Sequence, residues 1–243
     1  MEKAPYSLTA EIAGIPVLVR CRFASNAERL EDYRTDREPL ITAEALPEDT
    51  ALALGSQPAA APRREEEAES LALLLCLCRR LMDYGVLLLH GSALTLDGQG
   101  YVFTAPSGTG KSTHARLWRE TFGDRVRMLN DDKPLLRISR EGVEIFGTPW
   151  MGKHGLGCPG RAPLKAIVCL KRGEDNTLEP MDPKRAFSVL HSQAFGMKDP
   201  RVMAGSLPLK KALAERVPFF RLNMNNLRED AALRCLEGLN KYG

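Results

Sequence analysis

From Ser7 to Phe23 the chain reads SLTAEIAGIPVLVRCRF, with apolar and polar positions alternating on either side of Ala13-Gly14. Alternation at every second residue gives a strand one apolar face, so this stretch predicts a hairpin. PLITAEAL predicts a third strand. The next segment, GSQPAAAPRREEE, is small, Pro-containing and charged, a linker composition. From about Arg64 to Asp83 the period lengthens. Leu71, Leu74, Leu75, Cys78, Leu81 and Met82 recur at helical spacing and predict one buried stripe. Gly85, tolerant of positive φ, closes that helix.

VLLLHGSALTLDGQGYVFTAP predicts a buried strand and then two strands joined at Asp97-Gly98, a hairpin dipeptide. A helix follows, with Ala115, Trp118 and Phe122 on one side and Gly123 at its end. RVRMLNDDKPLLRIS reads as a strand, an acidic turn and a second strand broken by Pro134, and GVEIFGTPW as another strand with a loop. PLKAIVCLKRG is a continuous apolar run of the kind found in a central sheet. The last sixty residues or so read as helices around a short apolar stretch, PFFRLNM. Near the end, Asn226 and Glu229 have capping-box spacing before a stripe of Ala232, Leu236 and Leu239. These elements predict an α/β fold: a mixed, twisted sheet with the loop at 105–113 at one edge of a hairpin-containing core, and helices after it. A small β-rich unit over 1–62 precedes a domain over 63–243; whether the first part stands alone or completes the same sheet stays open.

Composition narrows the class. With 243 residues, 44% hydrophobic and 27% charged, core size is not limiting. The net charge of +3 is small and its Lys and Arg are interspersed with Asp and Glu, so no nucleic-acid face is expected. No run approaches a membrane span, and the first residues lack the apolar core of a signal peptide. Cys21, Cys76, Cys78, Cys158, Cys169 and Cys235 show no ligand spacing and read as thiols in a reducing cytoplasm.

The chemistry begins at Ala105. APSGTGKST fits the phosphate-loop pattern G-x-x-x-x-G-K-[ST] with Ala105 at the first, small-residue position and Gly110, Lys111 and Ser112 in register. Ser107, Gly108, Thr109 and Gly110 would turn backbone N–H groups around an anion, and the following helix adds its positive end. Lys111 suits the β- and γ-phosphates of ATP, Ser112 a Mg²⁺ position, and Thr113 the first helical turn. Such a site also requires a carboxylate at a strand end, and MLNDD supplies Asp131 and Asp132. One aspartate would serve a metal alone; two adjacent ones leave a strand end in different directions and suit a metal and an incoming hydroxyl. His90 at the end of a buried strand, and Thr148, Trp150 and Lys153 in GTPWMGK, are each open to a site role or a structural one. Arg161 and the Lys171-Arg172 pair read as phosphate-facing or merely solvated. His114, His154 and His191 read as solvent-facing or cap residues.

In order, LLHGSAL, APSGTGKST and NDD resemble the HPr kinase and ATP-dependent phosphoenolpyruvate carboxykinase superfamily over about Val86 to Asp132. Short bacterial HPr-kinase-related proteins are similar over most of the chain, through SGTGKSTH, NDDKP, GTPW, PLKAI and RLNMN. The resemblance implies that Gly108 to Ser112 bind ATP phosphates, that Asp131 faces the acceptor and Asp132 the metal, and that His90 sits beside the acidic pair. Members of the family assemble, so a homo-oligomer is an open expectation. The Arg-Gly-rich segment that HPr kinases carry after the acidic turn is replaced here by GTPWMGKHGLG, a departure that puts HPr in doubt as the substrate. Carboxykinases are far longer and this chain leaves little room for their oxaloacetate site, so carboxykinase activity is not expected.

Two functions follow from these motifs. The first is a Mg·ATP-dependent kinase acting on a hydroxyl of a peptide, protein or small metabolite, with Asp131, Lys111 and His90 as its catalytic set. The second is a nucleotide-binding regulatory module with little or no transfer. A guanylate- or gluconate-kinase-like enzyme would place the loop near its N-terminus, and an ABC-type ATPase would carry an LSGGQ-like signature; neither holds here.

Overall fold

The computed structural model describes residues 4–56, 58, 62–196, 199–225 and 230–242. The chain divides into two compact units, Met1–Tyr84 and Gly85–Gly243.

In the first unit β1 (Tyr6–Ile12) and β2 (Ile15–Cys21) form the expected hairpin, with Ile12 opposite Ile15. The two residues between them, Ala13 and Gly14, have φ of 52° and 76°, the mirror-image turn that matches strand twist. After the short α1 (Ala24–Glu28), β3 (Ile41–Glu44) joins β2 in parallel. These strands form their own three-stranded sheet and do not complete the larger one. Two helices follow, α2 (Pro47–Ser56), which the sequence pattern did not predict, and α3 (Arg64–Leu81).

The boundary therefore falls after α3, not at 62/63, and two buried carboxylates explain it. Glu69 of α3 accepts hydrogen bonds from the Arg22 N–H at 2.7 Å and from Asn26 Nδ2 at 2.8 Å, tying the helix to the strand-to-α1 junction. Asp49 of α2 holds Arg79 of α3 in a two-pronged ion pair. The linker-like composition thus joins two paired helices within one unit; residues 57 and 59–61 lie outside the described set. The buried face of α3 is wider than one stripe. Leu73 and Leu77 are buried with Leu74, Cys78 and Leu81, while Leu71, Leu75 and Met82 are half-buried.

The second unit carries β4 (Val86–Leu88), β5 (Ser92–Leu96), β6 (Gln99–Thr104), α4 (Lys111–Phe122), β7 (Val126–Asn130), β8 (Leu135–Ile138) and β9 (Val143–Phe146). Then come β10 (Arg161–Arg172), β11 (Thr177–Pro180), α5 (Pro183–Gln193), α6 (Pro200–Arg216), β12 (Phe219–Met224) and α7 (Ala231–Tyr242). The strands form a mixed sheet in the order β4-β8-β9-β10-β6-β5-β7, with β12 beside β10 and β11 beside β12. β10 is its hub, antiparallel to β9 at one end and parallel to β6 and β12 further on. Strand alternation splits the core between the two faces. Tyr101, Phe103, Val168 and Leu170 pack with α4 and α7, whereas Val102 and Ile167 pack with α5 and α6.

Two expectations change here. β6, which feeds the loop at 105–113, lies between β10 and β5, so that loop leaves the sheet interior and not an edge. PFFRLNM is the strand β12, paired in parallel with β10. The capping box at Asn226 and Glu229 lies outside the described residues, although Ala232 and Leu239 of α7 are buried as its stripe requires. All six cysteines are free; burial pushes the Cys21 thiol up to about 11 and Cys78 up to about 12, which keeps both protonated. Among the described residues no helix is long and apolar enough to cross a membrane.

Candidate active site

β6 ends at Thr104, the chain loops through Ala105–Gly110, and α4 starts at Lys111. Gly108 and Gly110 hold φ of 77° and 117°, which L side chains rarely adopt. Inside the loop, both the N–H and the hydroxyl of Thr109 donate to Pro106 O, at 3.3 and 2.8 Å, closing a turn. Lys111, 8% exposed, donates from Nζ to Ala105 O at 2.9 Å. Burial pushes its ammonium pKa down, and the charge of Asp132 partly restores it.

The helix is moored by aromatic packing. Trp118, fully buried, lies 5.3 Å from Tyr101 and 5.2 Å from Phe103 between ring centroids. His114 is buried as well, contrary to the solvent-facing or capping role expected of it. Its Nε2 accepts from Trp118 Nε1 at 3.1 Å and its ring meets Phe103 edge-on, so it belongs to the core under the loop.

The acidic turn is organised by a residue the motif reading passed over. Asn130, the last residue of β7, is fully buried. Its Oδ1 accepts from the N–H groups of Asp132 and Lys133 at 2.8 and 2.5 Å. Its Nδ2 donates to Thr148 O, Thr148 Oγ1 and Trp150 O at 3.1, 2.9 and 3.2 Å. One side chain thus shapes the turn and ties it to the GTPW loop. The signal was available in the sequence, since an Asn opening a turn habitually bonds the backbone two residues on.

That tie brings Gly152 to Asp131. The Gly152 N–H donates to Asp131 Oδ1 at 2.5 Å, and a Cβ on Gly152 would sit 3.2 Å from the carboxylate. Asp131 is 7% exposed and fixed in orientation. Asp132 turns the other way, paired with Lys133 and with His90 Nε2 at 3.4 Å. The strand-end segment LLHGS is fastened to the same turn: Gly91 N–H donates to Asp132 O at 3.0 Å and Ser92 Oγ to Asp131 O at 3.4 Å. His90 Nδ1 lies 3.4 Å from Gln193 Oε1. Burial, followed by the nearby Lys111 charge, lowers the His90 pKa, against the opposing pull of Asp132.

These groups line one cleft of about 510 Å³. Ser107, Gly108, Gly110, Lys111, Ser112 and Thr113 form one side, His90, Asp131 and Asp132 another, and Gly152, Lys153 and His154 a third. Of the residues expected at the site, Thr109 is not in the lining because its hydroxyl is used inside the loop. His154 is in the lining, although it read as solvent-facing; its place follows from the Gly152 contact two residues earlier. Trp150 is buried and offers its backbone carbonyl to Asn130; it does not line the cleft. Arg161 pairs with Glu144 at 3.7 Å, and His191 is exposed and stacks on Phe187.

Among the described residues no group of three or more His, Cys, Asp or Glu forms a metal cage. The oxygen donors in the cleft, Ser112 Oγ and the two carboxylates, fit a hard cation such as Mg²⁺, which keeps water ligands and takes one or two carboxylates plus substrate phosphates.

No family model matches the chain, and no curated protein matches it. Among solved structures, the HPr(Ser) kinase/phosphatase from Coxiella burnetii is similar at 12% identity and a TM-score of 0.36, over 64% of this chain and 95% of that one.

Proposed function

We propose that this protein is a Mg·ATP-dependent phosphotransferase that moves the γ-phosphate to a hydroxyl of a peptide, a protein or a small metabolite. The observation that carries the proposal is the meeting, in one cleft, of a glycine-shaped loop with its lysine and a pair of adjacent, differently oriented aspartates. Backbone amides of the loop and the start of α4 hold the phosphates, with Lys111 leaving its loop carbonyls to meet them. Ser112 and Asp132 would hold Mg²⁺, which neutralises phosphate charge when bound. Asp131, oriented by Gly152, positions the acceptor hydroxyl and takes its proton as the new phosphorus–oxygen bond forms and the bond from the γ-phosphorus to the β–γ bridging oxygen breaks, with ADP as the leaving group; the proton remains on the carboxyl until it passes to solvent. A weak base suffices, because in a loose transition state the hydroxyl proton departs late. His90, neutral near pH 7 by its lowered pKa, steadies Asp132 without adding charge.

Incubation with γ-labelled ATP, Mg²⁺ and a pool of hydroxyl-bearing peptides tests this. Label is expected in an acceptor or, with water as the default nucleophile, in released phosphate. Asp131→Asn should keep ATP affinity and lower that rate by about two orders of magnitude or more. Tight ATP binding with neither transfer nor release would overturn the transferase and leave a regulatory module.

A further inference from the structure

We propose that Arg172 is a positioning residue for the phosphate loop, gripping its outer carbonyls from the end of β10 so that the turn keeps its shape and the Gly110 amide stays aimed into the cleft; this rests on the nucleotide reading above. Arg172 Nη2 donates to Gly108 O at 2.6 Å, and Nε reaches Thr109 O at 3.5 Å. These contacts span more than sixty residues of chain. They reach the turn that Thr109 closes on Pro106 O. A Cβ on Gly108 would meet nothing within 4 Å, so that side of the backbone is open, and glycine gives it the widest freedom.

The peptide plane makes the grip directional. In a trans peptide the carbonyl of one residue and the N–H of the next point to opposite sides, and no cis peptide is present among the described residues. Holding Thr109 O outward therefore turns the Gly110 N–H the other way. Gly110 lines the cleft and Thr109 does not, as that orientation requires. The anchor is rigid, since Arg172 is the last residue of β10 and pairs with Met224 of β12, and the Gly173 N–H donates to Met224 O at 3.0 Å. A loop ordered in advance loses less freedom when phosphate binds, which raises affinity with no contact to the ligand. Arginine suits the grip better than lysine, because its planar fork presents Nε and Nη2 at a fixed spacing to the two carbonyls, whereas an ammonium on a flexible stem is less pre-organised.

The test compares the parent protein with Arg172→Ala and Arg172→Lys, using Mg·ATP and inorganic tripolyphosphate as probes in calorimetric titrations. The alanine variant should weaken both probes by the same factor, about five- to tenfold, and the lysine variant by about two- to threefold. Guanidinium ion at millimolar concentration should recover part of the alanine loss, with sodium at equal ionic strength recovering none. The melting temperature should stay within about 2 °C of the parent, since the contact is exposed. Unchanged affinity in both variants would overturn the proposal, and so would a loss seen with ATP but not with tripolyphosphate, which would put Arg172 on the nucleoside. A parent protein that binds neither probe would instead refute the nucleotide reading, and this proposal with it.

Discussion

Truncating Asn130 to alanine removes the side chain that shapes the acidic turn and moors the GTPW loop. Two N–H groups, of Asp132 and Lys133, lose their acceptor, and the carbonyls of Thr148 and Trp150 lose a donor. The Thr148 hydroxyl is less affected, because it also donates to Lys133 O at 2.9 Å. At a net ~1 kcal/mol for each of four groups, less what water restores to the half-buried amides, the loss is about 3 kcal/mol. For a domain of this size that lowers the melting temperature by about 6–12 °C. Asn130→Asp is the informative partner. It keeps the two acceptances but sets a carboxylate against three acceptor oxygens, which raises its pKa in the folded state. A raised folded-state pKa means the penalty is full above that value and gone below the unfolded value near ~3.9. Thermal unfolding of both variants at pH 7.5 and pH 5, each against the parent, reads this out. Asn130→Asp should gain on Asn130→Ala as pH falls. An alanine variant melting within about 2 °C of the parent, or an aspartate variant that gains nothing at pH 5, would refute the reasoning.

Gly152→Ala should press a methyl group against Asp131 and slow transfer by at least about tenfold while Mg·ATP affinity changes little; single-turnover rates and titration separate the two, and a normal rate would remove Asp131–Gly152 from the chemistry. His90 has a lowered folded-state pKa, so its contribution to stability is present above the unfolded value near ~6.5 and is lost as pH falls through the folded one. Denaturant unfolding between pH 7.5 and 5 should accordingly show a steeper decline in the parent than in His90→Gln, and parallel curves would contradict the assignment. Gly147→Ala would set a Cβ 2.0 Å from Cys158 O, so a loss of about 3 kcal/mol or more is expected by chemical denaturation.

Local patterns in the sequence carried the hairpins, because a two-residue turn between alternating strands is written in adjacent residues; Ala13-Gly14 and Asp97-Gly98 both adopt positive φ. The turn of the loop at 105–113 was legible for the same reason, with Gly108 and Gly110 at positive φ. Long-range pairing was not. That β3 runs parallel to β2, that PFFRLNM is a strand beside β10, and that β6 lies inside the sheet all depend on contacts between distant segments, which leave little local trace. The unit boundary was misplaced because α2 and α3 are joined by a linker-like segment yet held together by Asp49, and α3 is held to its unit by Glu69. At the site, the expectation that His90 sits beside the acidic pair matches a 3.4 Å contact to Asp132. His154 and Arg172 gained their places from tertiary contacts that leave no local trace, whereas Asn130 did leave one in its turn-opening position.

The central claim is that the amides from Ala105 to Thr113, with the Lys111 ammonium, cradle the phosphates of Mg·ATP. Equilibrium binding of Mg·ATP to the parent and to Lys111→Ala measures it directly. The account predicts saturable one-to-one binding to the parent, weakened at least about tenfold in the variant with its fold intact. Equal affinity in the two proteins would contradict it.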